Sequence, residues 1–210
     1  MRAPPSTTNI PVRFVESTMS KKVLGIMGSP CREGNTASLL DAVLEGAREA
    51  GAVAERLDIT DLRIKPCDGC HRCDAAGACA IGDDDMPMVY RKIREVDALV
   101  LASPVFFMGV SAQMKALIDR CQCFWVERFV LGRRAYEGRS RPKGLFVATA
   151  GSTKPEAFEP AVHCVKAVFI AMDYQYSGEV LLGNTDAKDI VSIRAPIMKK
   201  AREAGQKLVA

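Results

Sequence analysis

The chain has 210 residues, 48% hydrophobic and 26% charged, with 29 Lys+Arg against 25 Asp+Glu. That balance fits one globular domain and excludes collagen-like, coiled-coil and broadly disordered chains. The longest uncharged run, Ala98 to Met114, is too short to span a bilayer and contains Pro104, so no membrane association is expected.

Residues 1–20 carry Pro4, Pro5 and Pro11 and lack an apolar signal core. They are expected to form a disordered tail ahead of a single domain over 21–210, placed in the cytoplasm. Val23–Met27 is a short apolar run ending in Gly28-Ser29-Pro30, as a buried parallel strand entering a turn would be. Leu39, Leu40, Val43, Leu44 and Ala47 then recur at helical spacing, and Gly51 closes that element. Val53 to Ile59 reads as a second strand.

Residues 60–85 have no clean period and form a cysteine-rich insertion. A helix from about Met88 to Val96, a strand Ala98–Ala102 and a turn opening at Ser103-Pro104 follow. Met114, Leu117, Ile118 and Cys121 mark the next helix, Gly144–Ala150 the fourth strand, and Phe158 to Phe169 another amphipathic helix. A fifth strand lies near Tyr176–Leu182. The last helix is expected over Ala187–Leu208, bent or started by Pro196. Five strands alternating with five helices predict an α/β fold, a doubly wound five-stranded parallel sheet with the insertion after strand two.

Ligands of such sheets bind at the carboxyl ends of the strands, which selects three loops. In the first, Ser29, Arg32, Gly34, Asn35 and Thr36 surround a helix start where backbone N–H groups and the helix dipole favour a phosphate. A plain helix cap by Asn35 or Thr36 is the alternative. Spacing excludes a Walker A loop, a dinucleotide fingerprint and a cysteine phosphatase on Cys31, because Ala37 stands where the last would need arginine. In the second loop Pro104, Val105, Phe106, Phe107 and Gly109 offer aromatic faces and backbone amides to a flat ring. Gly151 in the third loop adds a backbone contact.

Cys67, Cys70, Cys73 and Cys79 fall within thirteen residues, too compact for a disulfide framework. A C-x2-C-x2-C run with a fourth cysteine nearby suits a [4Fe–4S] cluster. Zinc and free thiols remain alternatives. His71 reads as solvated, Asp83–Asp85 as a helix-starting acidic run, and Cys121, Cys123, Cys164 and His163 as packing residues. Between Arg120 and Lys143 seven basic residues face only Glu127 and Glu137. No nucleic-acid-binding motif accompanies them, so the segment is a solvated loop or a site for an anionic partner. No acid–base catalytic residue stands out.

The stretches Gly28-Ser29-Pro30 with Gly34-Asn35-Thr36, Ser103-Pro104-Val105-Phe106, and Ser111 to Lys115 with Ile118-Asp119-Arg120 resemble the flavodoxin-like NAD(P)H-dependent FMN reductase superfamily. The cysteine run is similar to that of the iron–sulfur flavoproteins within it. Cys31 stands where relatives often carry arginine, and Phe106 where tyrosine is common. The resemblance implies FMN in the three loops, a [4Fe–4S] cluster on the four cysteines, and a homodimer or homotetramer. It implies an oxidoreductase relaying electrons between a two-electron and a one-electron partner, the latter a small redox protein or small-molecule oxidant. A cluster-free NAD(P)H-dependent FMN or quinone reductase, its nucleotide phosphates met by Arg128–Arg141, is the alternative.

Overall fold

The computed structural model describes residues 20–186 and 195–210. The tail expected over 1–20, apart from Ser20, and the first part of the expected last helix lie outside the described residues. The sheet is built from β1 (Lys22–Met27), β2 (Val53–Asp58), β3 (Ala98–Phe106), a two-residue β4 (Gly109–Val110), β5 (Lys143–Thr149) and β6 (Gln175–Leu182). The five long strands are parallel in the order β2-β1-β3-β5-β6, and β4 pairs antiparallel with the end of β3.

Alternation along the central strands explains the two faces. Leu24, Ile26, Leu99 and Leu101 enter one core with Met86, Val89, Met114, Leu117, Phe146, Val165 and Phe169. Those partners come mainly from α3 (Met86–Glu95), α4 (Ala112–Arg120) and α6 (Glu159–Ala171), with α5 (Gln122–Trp125) adding Phe124. Val23, Met27, Val100 and Val147 enter the opposite core with Leu39, Leu40 and Val43 of α1 (Asn35–Glu49) and Ala201 and Leu208 of α7 (Ala195–Val209). Helices α1 and α7 cross backbone to backbone. A Cβ at Gly46 would stand 2.0 Å from the Arg202 carbonyl oxygen, and one at Gly205 1.9 Å from that of Val43.

The structure corrects the sequence reading at two places. The strand expected to end at Ala102 runs on to Phe106, and Pro104 pairs with Thr149 inside the sheet. The absent proline N–H is tolerated here because parallel partners take only alternate residues' donors. The expected turn instead falls at Phe107-Met108, whose φ angles of 49° and 66° form a tight hairpin into β4. The last helix is described over Ala195–Val209 and contains Pro196, while the expected stretch 187–194 lies outside the described residues. Among the described residues no helix is long and apolar enough to cross a membrane.

Candidate functional site

Three segments meet at the carboxyl edge of the sheet around a cavity of about 320 Å³. Its lining includes Ser29, Gly34, Asn35 and Thr36 from the first loop, Pro104, Val105 and Phe106 from β3, and Gly151 from the third. Eight of the eleven residues expected to hold a cofactor thus line one cavity. Gly34 precedes α1 with no side-chain cap, so the first N–H groups of the helix point into this space. Thr36 is buried, and its hydroxyl lies 2.7 Å from that of Thr149. Ser29 Oγ accepts the Cys31 N–H at 3.1 Å, which curls the loop around the helix start.

Packing of α4 against this loop fixes its position. The Gly28 N–H donates to the Ala102 carbonyl at 2.8 Å, and Ser111 Oγ donates to the Gly28 carbonyl at 2.5 Å while accepting the Met114 N–H. Ser111 therefore caps α4 and ties the loop to it. A Cβ at Gly28 would stand 3.0 Å from the Met114 Cβ and 3.3 Å from the Ala102 carbonyl oxygen, so the loop packs closely against α4 and β3 here.

Three expected residues lie elsewhere. Arg32 is exposed, pairs with Asp61 and does not line the cavity, although its neighbour Cys31 does. Phe107 is fully exposed at the hairpin tip, and Gly109 lies in β4; neither lines the cavity. Phe106, Phe107 and Met108 form an exposed apolar edge beside it, two of them in the left-handed region that bulky residues rarely adopt. The sequence reading missed Thr149, Thr185 and Asp186 in the lining. The strand end at Thr149 was legible, but Thr185 and Asp186 follow β6 and carried no motif. Asn35 Nδ2 donates to the Thr185 carbonyl at 3.0 Å and draws that segment over the cavity.

A second cavity, of about 110 Å³, is lined by Cys67, Cys70, Cys73 and Cys79 together with Arg120 and Cys123. Apart from α2 (Cys73–Ala76), the backbone here is irregular and turns through positive φ at Gly69, His71 and Gly77. A neck closes the loop. The Arg63 and Lys65 N–H groups donate to Asp85 Oδ2 and Asp84 Oδ2, and the Asp85 N–H returns to the Arg63 carbonyl. The acidic run does begin a helix, with Asp84 accepting the Met86 N–H, but its larger role is this neck. Burial pushes the Cys73 thiol up, and Asp74 adds to the effect. Among the described residues no three His, Cys, Asp or Glu side chains stand close enough to hold a metal ion.

Cys121 and Cys123 are buried, as expected of packing residues, with thiols pushed up by burial. His163 is exposed rather than packed, because it falls on the outer face of α6. The basic segment is mostly anchored. Arg120 is buried, Arg128 and Arg141 meet Asp173, Arg133 donates to the Ala76 carbonyl and Arg139 lies over the Tyr136 ring. Arg141 and Asp173 immediately precede β5 and β6, the sheet edge opposite the first cavity. Phosphates held there would be far from that cavity, by about 20 Å for a seven-residue strand.

The family model described as NADPH-dependent FMN reductase matches residues 21–181. An iron–sulfur flavoprotein of Archaeoglobus fulgidus is 32% identical over 89% of this chain and 78% of its own length. An iron–sulfur flavoprotein of Methanocaldococcus jannaschii is 44% identical over 47% of this chain, a match that spans about half, 51%, of that protein. The structure of an NAD(P)H:quinone oxidoreductase from Methanothermobacter marburgensis superposes with a TM-score of 0.64 at 21% identity, covering 90% of this chain and 97% of that one, a likeness of fold. With its sheet order, its three convergent loops and these matches, the chain belongs to the NADPH-dependent FMN reductase family and is an FMN-dependent oxidoreductase.

Proposed function

We propose that the protein couples a two-electron and a one-electron redox partner through FMN in the first cavity and a [4Fe–4S] cluster in the second. Bound together, FMN exchanges electrons in pairs or singly and a cubane cluster passes one at a time. The chain's own residues supply the two seats. The α1 amino terminus, with Thr36 and Asn35, suits a phosphate monoester, and Pro104 to Phe106 with Gly151 suit a flat ring. Asp186 is the one carboxylate in that lining and stands against Gly151, where a Cβ would come within 1.9 Å of its Oδ1.

The observation that carries the cluster reading is the gathering of four thiols around one cavity. A single zinc ion draws its ligands to about 2.3 Å from one point, whereas cubane ligands each hold a different iron and stand farther apart. The compact run of three cysteines two residues apart, with a fourth close behind, suits a cubane better than the two separated knuckles usual for structural zinc. The names of the two curated relatives support the same reading. A small redox protein or small-molecule oxidant is the one-electron partner that this chemistry suits. The arrangement needs no side-chain acid or base.

The test is the absorption spectrum of anaerobically purified protein with iron and sulfide assayed on the same sample. Flavin bands over a broad brown shoulder, with about four iron and four sulfide per chain, are expected. Single Cys→Ser changes at 67, 70, 73 and 79 should each lower the iron content, while Cys123→Ser should leave it. Flavin alone, persisting after reconstitution with iron and sulfide, would instead establish the cluster-free NAD(P)H-dependent reductase, a reading favoured by the family match.

A further inference from the structure

Arg120 ends α4, and its side chain is fully buried. Each part of its guanidinium has a partner. Nη1 donates to Asp84 Oδ2 at 2.6 Å and to the Lys65 carbonyl at 2.9 Å, and Nη2 donates to the Ile81 carbonyl at 2.8 Å. Nε donates to Cys79 Sγ at 3.2 Å. Lys65 and Ile81 flank the cysteine run on either side, so one planar group ties both ends of the loop and its last cysteine together.

Stability alone does not explain this arrangement. A buried ion pair is often no more stabilising than apolar side chains of similar volume, because both charges must leave water. The Arg120–Asp84 pair is completely buried. What an apolar substitute could not do is offer an N–H and a positive charge to a cysteine sulfur. Hydrogen bonds to ligand sulfurs and nearby charge are principal controls on the potential of an iron–sulfur centre.

We propose that Arg120 is a positioning residue that aims Cys79 into the cavity and raises the reduction potential of the cluster held there, with Asp84 as the opposing charge. The inference rests on the cluster reading above. With a cluster held there, the step it would act on is the passage of one electron from reduced FMN to the cluster, the flavin losing the electron the cluster gains and no bond forming or breaking. The guanidinium stabilises the added negative charge through the Nε–H bond to Cys79. The carboxylate of Asp84, on the far side of the guanidinium, moderates that effect.

The two residues therefore predict shifts of opposite sign. In redox titrations followed by electron paramagnetic resonance, Arg120→Gln should lower the cluster potential and Asp84→Asn should raise it, with the flavin potential unmoved in both. Arg120→Lys, which keeps the charge but not the planar fork, should fall between Arg120→Gln and the wild type. Unchanged potentials, or shifts in the same direction for Arg120→Gln and Asp84→Asn, would overturn the assignment.

A measurement on the unaltered Arg120 site covers the case in which the glutamine variant fails to fold or to hold iron. Arginine-specific 15N labelling of the reduced protein, in an Arg72→Lys background that removes the arginine beside Cys70, should show 15N coupling to the cluster in pulsed paramagnetic resonance. Absence of that coupling would overturn the contact. Wild-type protein that takes up no iron and sulfide would overturn the cluster reading itself, a different result from a loaded protein with unmoved potentials.

Discussion

Gly46→Ala is the sharpest test of how the scaffold holds the first cavity, because one methyl group meets backbone. The new Cβ would lie 2.0 Å from the Arg202 carbonyl oxygen and 2.8 Å from the Arg202 Cα. An ordinary contact is about 3.4 Å or more, so α1 and α7 would have to separate locally by roughly 1.4 Å, enough to forfeit a large share of the dispersion contacts along the crossing. Overpacking of this kind costs about 1–3 kcal/mol, and here the upper end applies because neither partner is a flexible side-chain tip. Alanine's better helix propensity returns up to about 1 kcal/mol. The net loss is about 2 kcal/mol, or roughly 4–8 °C in melting temperature for a domain of this size. Gly46 is eleven residues beyond Asn35, about 16 Å along the helix, so the affinity of the folded protein for FMN should be unchanged. Thermal unfolding with and without saturating FMN is the assay, and Gly82→Ala, where nothing lies within 4 Å, is the control. A Gly46→Ala protein as stable as the wild type would refute the claim that backbone contact closes this face.

Two further outcomes follow from single residues. Thr36→Val keeps the volume but removes a buried hydroxyl from the first cavity; loss of one hydrogen bond of about 1 kcal/mol should weaken FMN roughly fivefold, read by quenching of flavin fluorescence on titration into apoprotein, and an unchanged Kd would remove Thr36 from the site. Burial pushes the Asp84 carboxyl up, but the Arg120 guanidinium and the Lys65 and Met86 N–H groups outweigh it and hold it below the usual carboxylate range. Its contribution is thus present above the unfolded value of about 3.9 and disappears as pH falls through the lower folded value. Asp84→Asn should cost about 3 kcal/mol at pH 7 and flatten the acid limb of the stability–pH curve, and an acid limb as steep as the wild type's would refute the role.

How much was legible beforehand differs between the two cavities. The lining of the first cavity was readable because each part is local. Gly34-Asn35-Thr36 sits where a polar loop gives way to a periodic helix, and Pro104-Val105-Phe106 ends an apolar run. Arg32 lies outside the lining because sequence adjacency to a loop does not say which way a long side chain leaves it, and here it pairs with Asp61 just beyond β2. Phe107 and Gly109 fall outside the lining because β3 continued through its proline and moved the turn four residues onward.

The sequence by itself determined the parallel α/β class, the first phosphate-type loop and the compact cysteine run, since strand and helix periods, glycine turns and short ligand spacings are properties of neighbouring residues. Only the tertiary structure brought Thr185 and Asp186 over the cavity, crossed α1 and α7 at Gly46 and Gly205, and took Arg120 out of an apparent basic surface stretch to bury it against Asp84 and Cys79. Those pairings join residues tens of positions apart. Their energies come from excluded water and close approach, which exist only once the sheet has set the distances between its loops.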